Sequence, residues 1–126
     1  MLQFDEIRLQ LENLKPGLDN LKAALAPEKM KEEIAALEEK QAAPDFWEDP
    51  QSSQKVLKRA SLLKNKLEGY EKLCSQYEDA LALVELGNEE EDLSLLPEAR
   101  EECQKVESGL ETQRLATLLT GEYDAN

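Results

Sequence analysis

The sequence has no histidine at all, which removes the commonest general base and the commonest transition-metal ligand. Its two cysteines, Cys74 and Cys103, are too few for a disulfide framework or a four-cysteine zinc site. Aromatic residues are scarce at 5%, and the five glycines and five prolines are confined to a few places. No apolar run approaches the ~20 residues needed to cross a bilayer. The opening MLQFDEIRLQ lacks the basic-then-apolar layout of a secretory signal. Positive charge is also short, with 15 basic residues against 28 acidic ones and a net charge of −13. Such a chain is repelled by phosphate backbones unless its cations gather on one face. These absences predict a cytoplasmic, non-enzymatic protein with no cofactor, no metal and no membrane contact.

What is present is helical periodicity, in a chain whose residues are 34% charged. Phe4, Ile7, Leu11, Leu14, Leu18, Leu21 and Leu25 alternate steps of three and four, a helical stripe. Pro16-Gly17 interrupts it, and Pro16 cannot donate to the Glu12 carbonyl, which predicts a kink or short break. Ala26-Pro27 starts a second helix lined by Met30, Ile34 and Leu37. Asp49 and Pro50 suit the cap and first turn of a third. Its seam runs through Val56, Ala60, Leu63, Leu67, Tyr70, Cys74, Tyr77, Leu81 and Val84, and Gly87-Asn88 is read as its stop. A fourth helix carries Ala99, Cys103, Val106 and Leu110, with Leu115, Leu118 and Leu119 on a shifted face.

The predicted fold is all-α, an antiparallel bundle of three to four helices with a long coiled-coil-like hairpin. As one helical domain it divides into N-terminal helices (1–41), a PDFWED corner (42–50), a long helix (51–86), an acidic turn (87–97), a final helix (98–120) and an exit segment (121–126). A short link makes two long helices antiparallel neighbours. A turn between Glu85 and Leu96 would set Cys74 level with Cys103 and Leu67 level with Leu110. Complementary seams within one chain favour a monomer over a coiled-coil dimer.

Three features carry competing readings. Glu89-Glu90-Glu91-Asp92 lacks the alternating ligands of a calcium loop and reads as a solvated turn. Cys74 and Cys103 read as packed, reduced thiols rather than a redox pair. Lys55, Lys58, Arg59, Lys64 and Lys66 form a basic run with no acid between Pro50 and Leu67. That run is either a docking patch for phosphate or an acidic protein, or the solvated flank of a helix facing Glu and Asp elsewhere in the bundle. Phe46 and Trp47 are either a partner-facing hot spot or, the reading favoured here, closure of the bundle end. On the second reading Trp47 is buried, and truncating it to Ala costs about 3–5 kcal/mol.

The stretch APDFWEDPQSSQKVLKRASLLKNKLEGYEKL, Ala43 to Leu73, resembles the N-terminal region of the bacterial peptide chain release factor 2 family. That family carries a Pro-Asp-Phe/Val-Trp element between a short helix and a long one. The end LLTGEYDAN, Leu118 to Asn126, is similar to the family's exit from this domain. The Gly-Gly-Gln and Ser-Pro-Phe tripeptides, for peptidyl-tRNA hydrolysis and codon reading, are absent, so no catalytic or codon-contacting residue carries over. The resemblance implies a non-catalytic ribosome-docking domain serving termination at UGA and UAA. Its implied partners are protein and rRNA at the ribosomal stalk base, and the recycling release-factor GTPase. A coiled-coil scaffold and a helical adaptor or chaperone module are the alternatives.

Overall fold

The computed structural model describes residues 1–121 of the chain. Glu122–Asn126, most of the expected exit segment, lie outside the described residues. Four helices follow in order: α1 (Leu2–Leu25), α2 (Pro27–Gln41), α3 (Pro50–Glu90) and α4 (Leu96–Leu119). Short 3-10 turns at Phe46–Glu48 and Leu93–Leu95 precede α3 and α4, and no strand occurs among the described residues. The all-α, hairpin-based architecture is therefore as the periodicity predicted.

α3 begins where the sequence offers a cap. The Asp49 carboxylate accepts from the Ser52 amide, and Pro50, which has no amide hydrogen to satisfy, takes the first helical position. At 1.5 Å per residue its 41 residues reach about 60 Å. α4 returns alongside it, with Gly69 facing Gln113 and Leu73 facing Gly109. α1 lies against both, antiparallel to α3 and parallel to α4. The Asn88 amide donates to Asp5 at one end of α1, Cys103 Sγ sits 3.5 Å from Gln10 Oε1, and further on Gly17 faces Leu110. α2 packs on the earlier part of α3 instead, through Met30, Ile34 and Leu37. Phe4, Leu11, Leu21, Leu73, Val84 and Val106 are fully buried in the core, each contributing about 1.5–3 kcal/mol by leaving water.

The structure corrects several expectations. Of the kink or short break expected at Pro16, the break does not occur, since α1 continues as one helix on both sides of it. Pro16 lies on the exposed face, where water can serve the freed Glu12 carbonyl. Gly87-Asn88 does not stop α3, which continues to Glu90, so that the link to α4 spans only Glu91–Leu95. Gly87 is a buried contact point inside the helix: the Phe4 ring lies flat on it, and a Cβ there would overlap the ring.

Because α3 is longer than expected, the hairpin register shifts. The position level with Cys103 is Asp79, not Cys74, so the two cysteines are not opposite one another. Both are free thiols. The seam of α3 also differs, since Leu73 and Ala80 are buried while Leu67, Tyr70, Cys74, Tyr77 and Leu81 are only partly covered. A seam read for one partner helix misses this. Three helices grip α3 along its length, which turns the buried face as the partner changes.

Candidate functional site

The basic run on α3 does not form one patch. Arg59 makes a two-pronged ion pair with Glu33 of α2, at 2.7 Å from Nε and 3.1 Å from Nη2. Those bonds hold the Glu33 carboxyl below the usual carboxylate range. Lys64 lies 3.8 Å from Glu38, one turn further along α2, and Lys66 is also engaged within the chain. Arg59 and Lys64 thereby bind α2 to α3. Lys55 and Lys58 are left exposed, flanking a shallow depression with Pro50, Gln51 and Gln54. Of the five candidate residues, two are available to an outside partner through their charge alone.

The PDFWED corner is built from local bonds. The Phe46 amide donates to the Ala43 carbonyl at 3.1 Å and the Glu48 amide to the Asp45 carbonyl at 3.0 Å. The Ser53 hydroxyl, 1% exposed, is bonded to the carbonyls of Phe46 and Asp49 and ties the corner to α3. Phe46 and Trp47 meet edge to face, with centroids 5.0 Å apart and planes at 76°. Trp47 is nevertheless 60% exposed, so the expectation of a buried corner plug is overturned. What closes the corner is the small hydroxyl of Ser53 beneath it. The sequence did hold a trace of this, in a serine one turn after an Asp-Pro helix start.

At the other end of the hairpin, Asp92 accepts from the Ser94 amide at 2.9 Å and the Ser94 hydroxyl at 2.6 Å. Both bonds draw its carboxyl below the ordinary value. Its role in the acidic turn is to cap the 3-10 step into α4. Among the described residues, no three of Cys, Asp and Glu come together as a metal site. Midway along α3, Tyr70 and Tyr77 face α1 near Lys15 and Asp19, and burial pushes both phenols up. The Cys74 thiol one turn on adds to the Tyr70 shift. Burial likewise raises the Cys103 thiol, making it a poor nucleophile. No helix among the described residues is long and apolar enough to cross a membrane.

Residues 30–126 match the PCRF domain. The chain is 33% identical over 120 residues to peptide chain release factor 2 of Streptomyces avermitilis, covering 95% of this chain and 33% of that protein. It is 37% identical over 116 residues to peptide chain release factor 2 of Beutenbergia cavernae, covering 92% and 31%. With the protein of the same name from Exiguobacterium sp. it shares 34% over 125 residues, covering 99% and 34%. The chain thus spans about a third of the length of the curated relatives it matches.

Proposed function

Because this chain belongs to the PCRF domain family, we propose that it is the N-terminal, ribosome-docking domain of a type 2 peptide chain release factor, serving termination at UGA and UAA codons. What carries the reading is similarity along nearly the whole chain to release factors three times its length. The division of the chain into N-terminal helices, corner, hairpin and exit belongs to the same proposal. The domain performs no chemistry itself. It has no histidine, no Gly-Gly-Gln tripeptide and no Ser-Pro-Phe tripeptide.

On this reading the domain acts as a strut. A helix about 60 Å long presents the corner at one end and the acidic link at the other, stiffened by α1 and α4 over the later part of α3 and by α2 over the earlier part. Protein and rRNA at the stalk base are the partners proposed, with the recycling GTPase as a further one. A chain of net charge −13 meets RNA unfavourably, so protein contacts supply most of the binding and the domain works as a monomer.

The test is co-sedimentation with ribosomes and competition in a peptide-release assay. The chain alone should release no peptide, and in excess it should slow release by the full-length factor. Failure to sediment or compete at high micromolar concentration refutes docking, and peptide release by the chain alone refutes the non-catalytic assignment.

A further inference from the structure

A fixed and uncovered tryptophan is unusual in a chain with so few aromatics. Trp47 sits 60% exposed on a corner whose backbone is tied at three points and whose floor is the buried Ser53 hydroxyl. A rigid aromatic held in this way loses little freedom on meeting a partner, which is how binding hot spots are presented. Its neighbours carry one sign of charge. Asp45 and Glu48 flank it in sequence, both are exposed, and neither forms an ion pair among the described residues.

From this geometry we propose that the corner is a receptor for a cationic side chain, arginine above all, on a basic protein segment. The guanidinium would stack on the indole while Asp45 and Glu48 neutralise its charge. The same carboxylates repel a phosphate backbone, which excludes RNA as the occupant. Lys55 and Lys58 do not offset them. At about 100° per residue, both project from the side of α3 opposite to Ser53, which faces the corner. The inference sharpens the docking reading above, and rests on it only for where the basic segment is met.

Trp47 is the sole tryptophan, so its emission reports directly on the corner. Titration with a short alternating arginine–glycine peptide should give a saturable change, whereas a glutamate–glycine peptide or a single-stranded RNA should give none. By calorimetry, Trp47→Ala should weaken the arginine peptide about tenfold, as should Asp45→Asn with Glu48→Gln. The equally neutralising pair Glu89→Gln with Glu90→Gln, at the far end of α3, should leave it unchanged. Equal binding by all variants would mean attraction to net charge alone and would overturn the inference, as would an RNA-induced change in emission. Ribosome sedimentation separates the two readings. Unaltered sedimentation of Trp47→Ala refutes the corner as the contact and leaves docking intact. No sedimentation of the wild-type chain, with a Trp47-dependent peptide titration, refutes docking and leaves the corner standing.

Discussion

Replacing Gly87 with alanine sets two effects against each other in one helix. Alanine is favoured over glycine by about 1 kcal/mol in a helix interior, and by roughly half that in the last turn, where Gly87 lies. Against this, the new Cβ would overlap the Phe4 ring at three of its carbons, Cε1, Cζ and Cδ1. Phe4 is 0% exposed and cannot swing into solvent, and overpacking of this kind costs about 1–3 kcal/mol. The overlap should win, leaving Gly87→Ala destabilised by about 1–2 kcal/mol. For a chain of this size that is a fall of about 4–8 °C in Tm. Gly69→Ala is the internal control, because its Cβ would meet only the side-chain amide of Gln113, which can move aside. That variant should gain about 0.5–1 kcal/mol. Thermal and urea unfolding followed by circular dichroism measure both. A Phe4→Leu change should couple to Gly87→Ala by about 1 kcal/mol in a double-mutant cycle, because the smaller side chain admits the methyl. A raised Tm for Gly87→Ala, or no coupling to Phe4, would refute the account of why α3 carries a buried glycine where a helix stop was expected.

Ala26 joins α1 to α2 in the left-handed region, at φ 49° and ψ 68°. Glycine there should raise stability by about 1 kcal/mol, read by urea denaturation, since the strain belongs to the Cβ. Trp47→Ala should cost under about 1 kcal/mol, while Ser53→Ala, which strips the Phe46 carbonyl of its partner, should cost more, about 1–2 kcal/mol. The reverse order in thermal melts would restore the tryptophan as the corner's plug. Tyr70 and Tyr77 are held neutral by burial, and Tyr70 further by the neighbouring Cys74 thiol. Phenol absorbance should therefore show them ionising above the ordinary tyrosine range. The unfolded chain gives up these protons first, so stability should fall as pH rises past ~10. With a thiol reagent, the half-buried Cys74 should react faster than the buried Cys103, and both should be titratable without reductant.

The helices were legible because leucine spacing records a buried face directly. Phe4, Ile7, Leu11, Leu18, Leu21 and Leu25, read as one stripe, form one buried face of α1. Misreadings arose where a residue's meaning depends on another helix. Gly87 resembles a stop signal until Phe4 is placed upon it, and Pro16 resembles a break until its exposed side is known. The basic run shows the same limit. Contiguity in sequence could not reveal that Arg59 and Lys64 turn toward Glu33 and Glu38 on α2, leaving Lys55 and Lys58 outward. Trp47 went astray by size alone, since a large side chain is not drawn inward where a hydroxyl already fills the space beneath.

The seating of α1 against α4 imposes an order of assembly on a chain made from its N-terminus. The hairpin of α3 and α4 closes through a link of five residues and needs little loop entropy to form. The first helix has no such local partner. Its bond between Asp5 and Asn88 spans 83 residues, and its contact between Gln10 and Cys103 spans 93. The apolar stripe of α1 is therefore fully covered only after α3 and the first half of α4 have been made. Its docking is a long-range closure of the kind that slows folding.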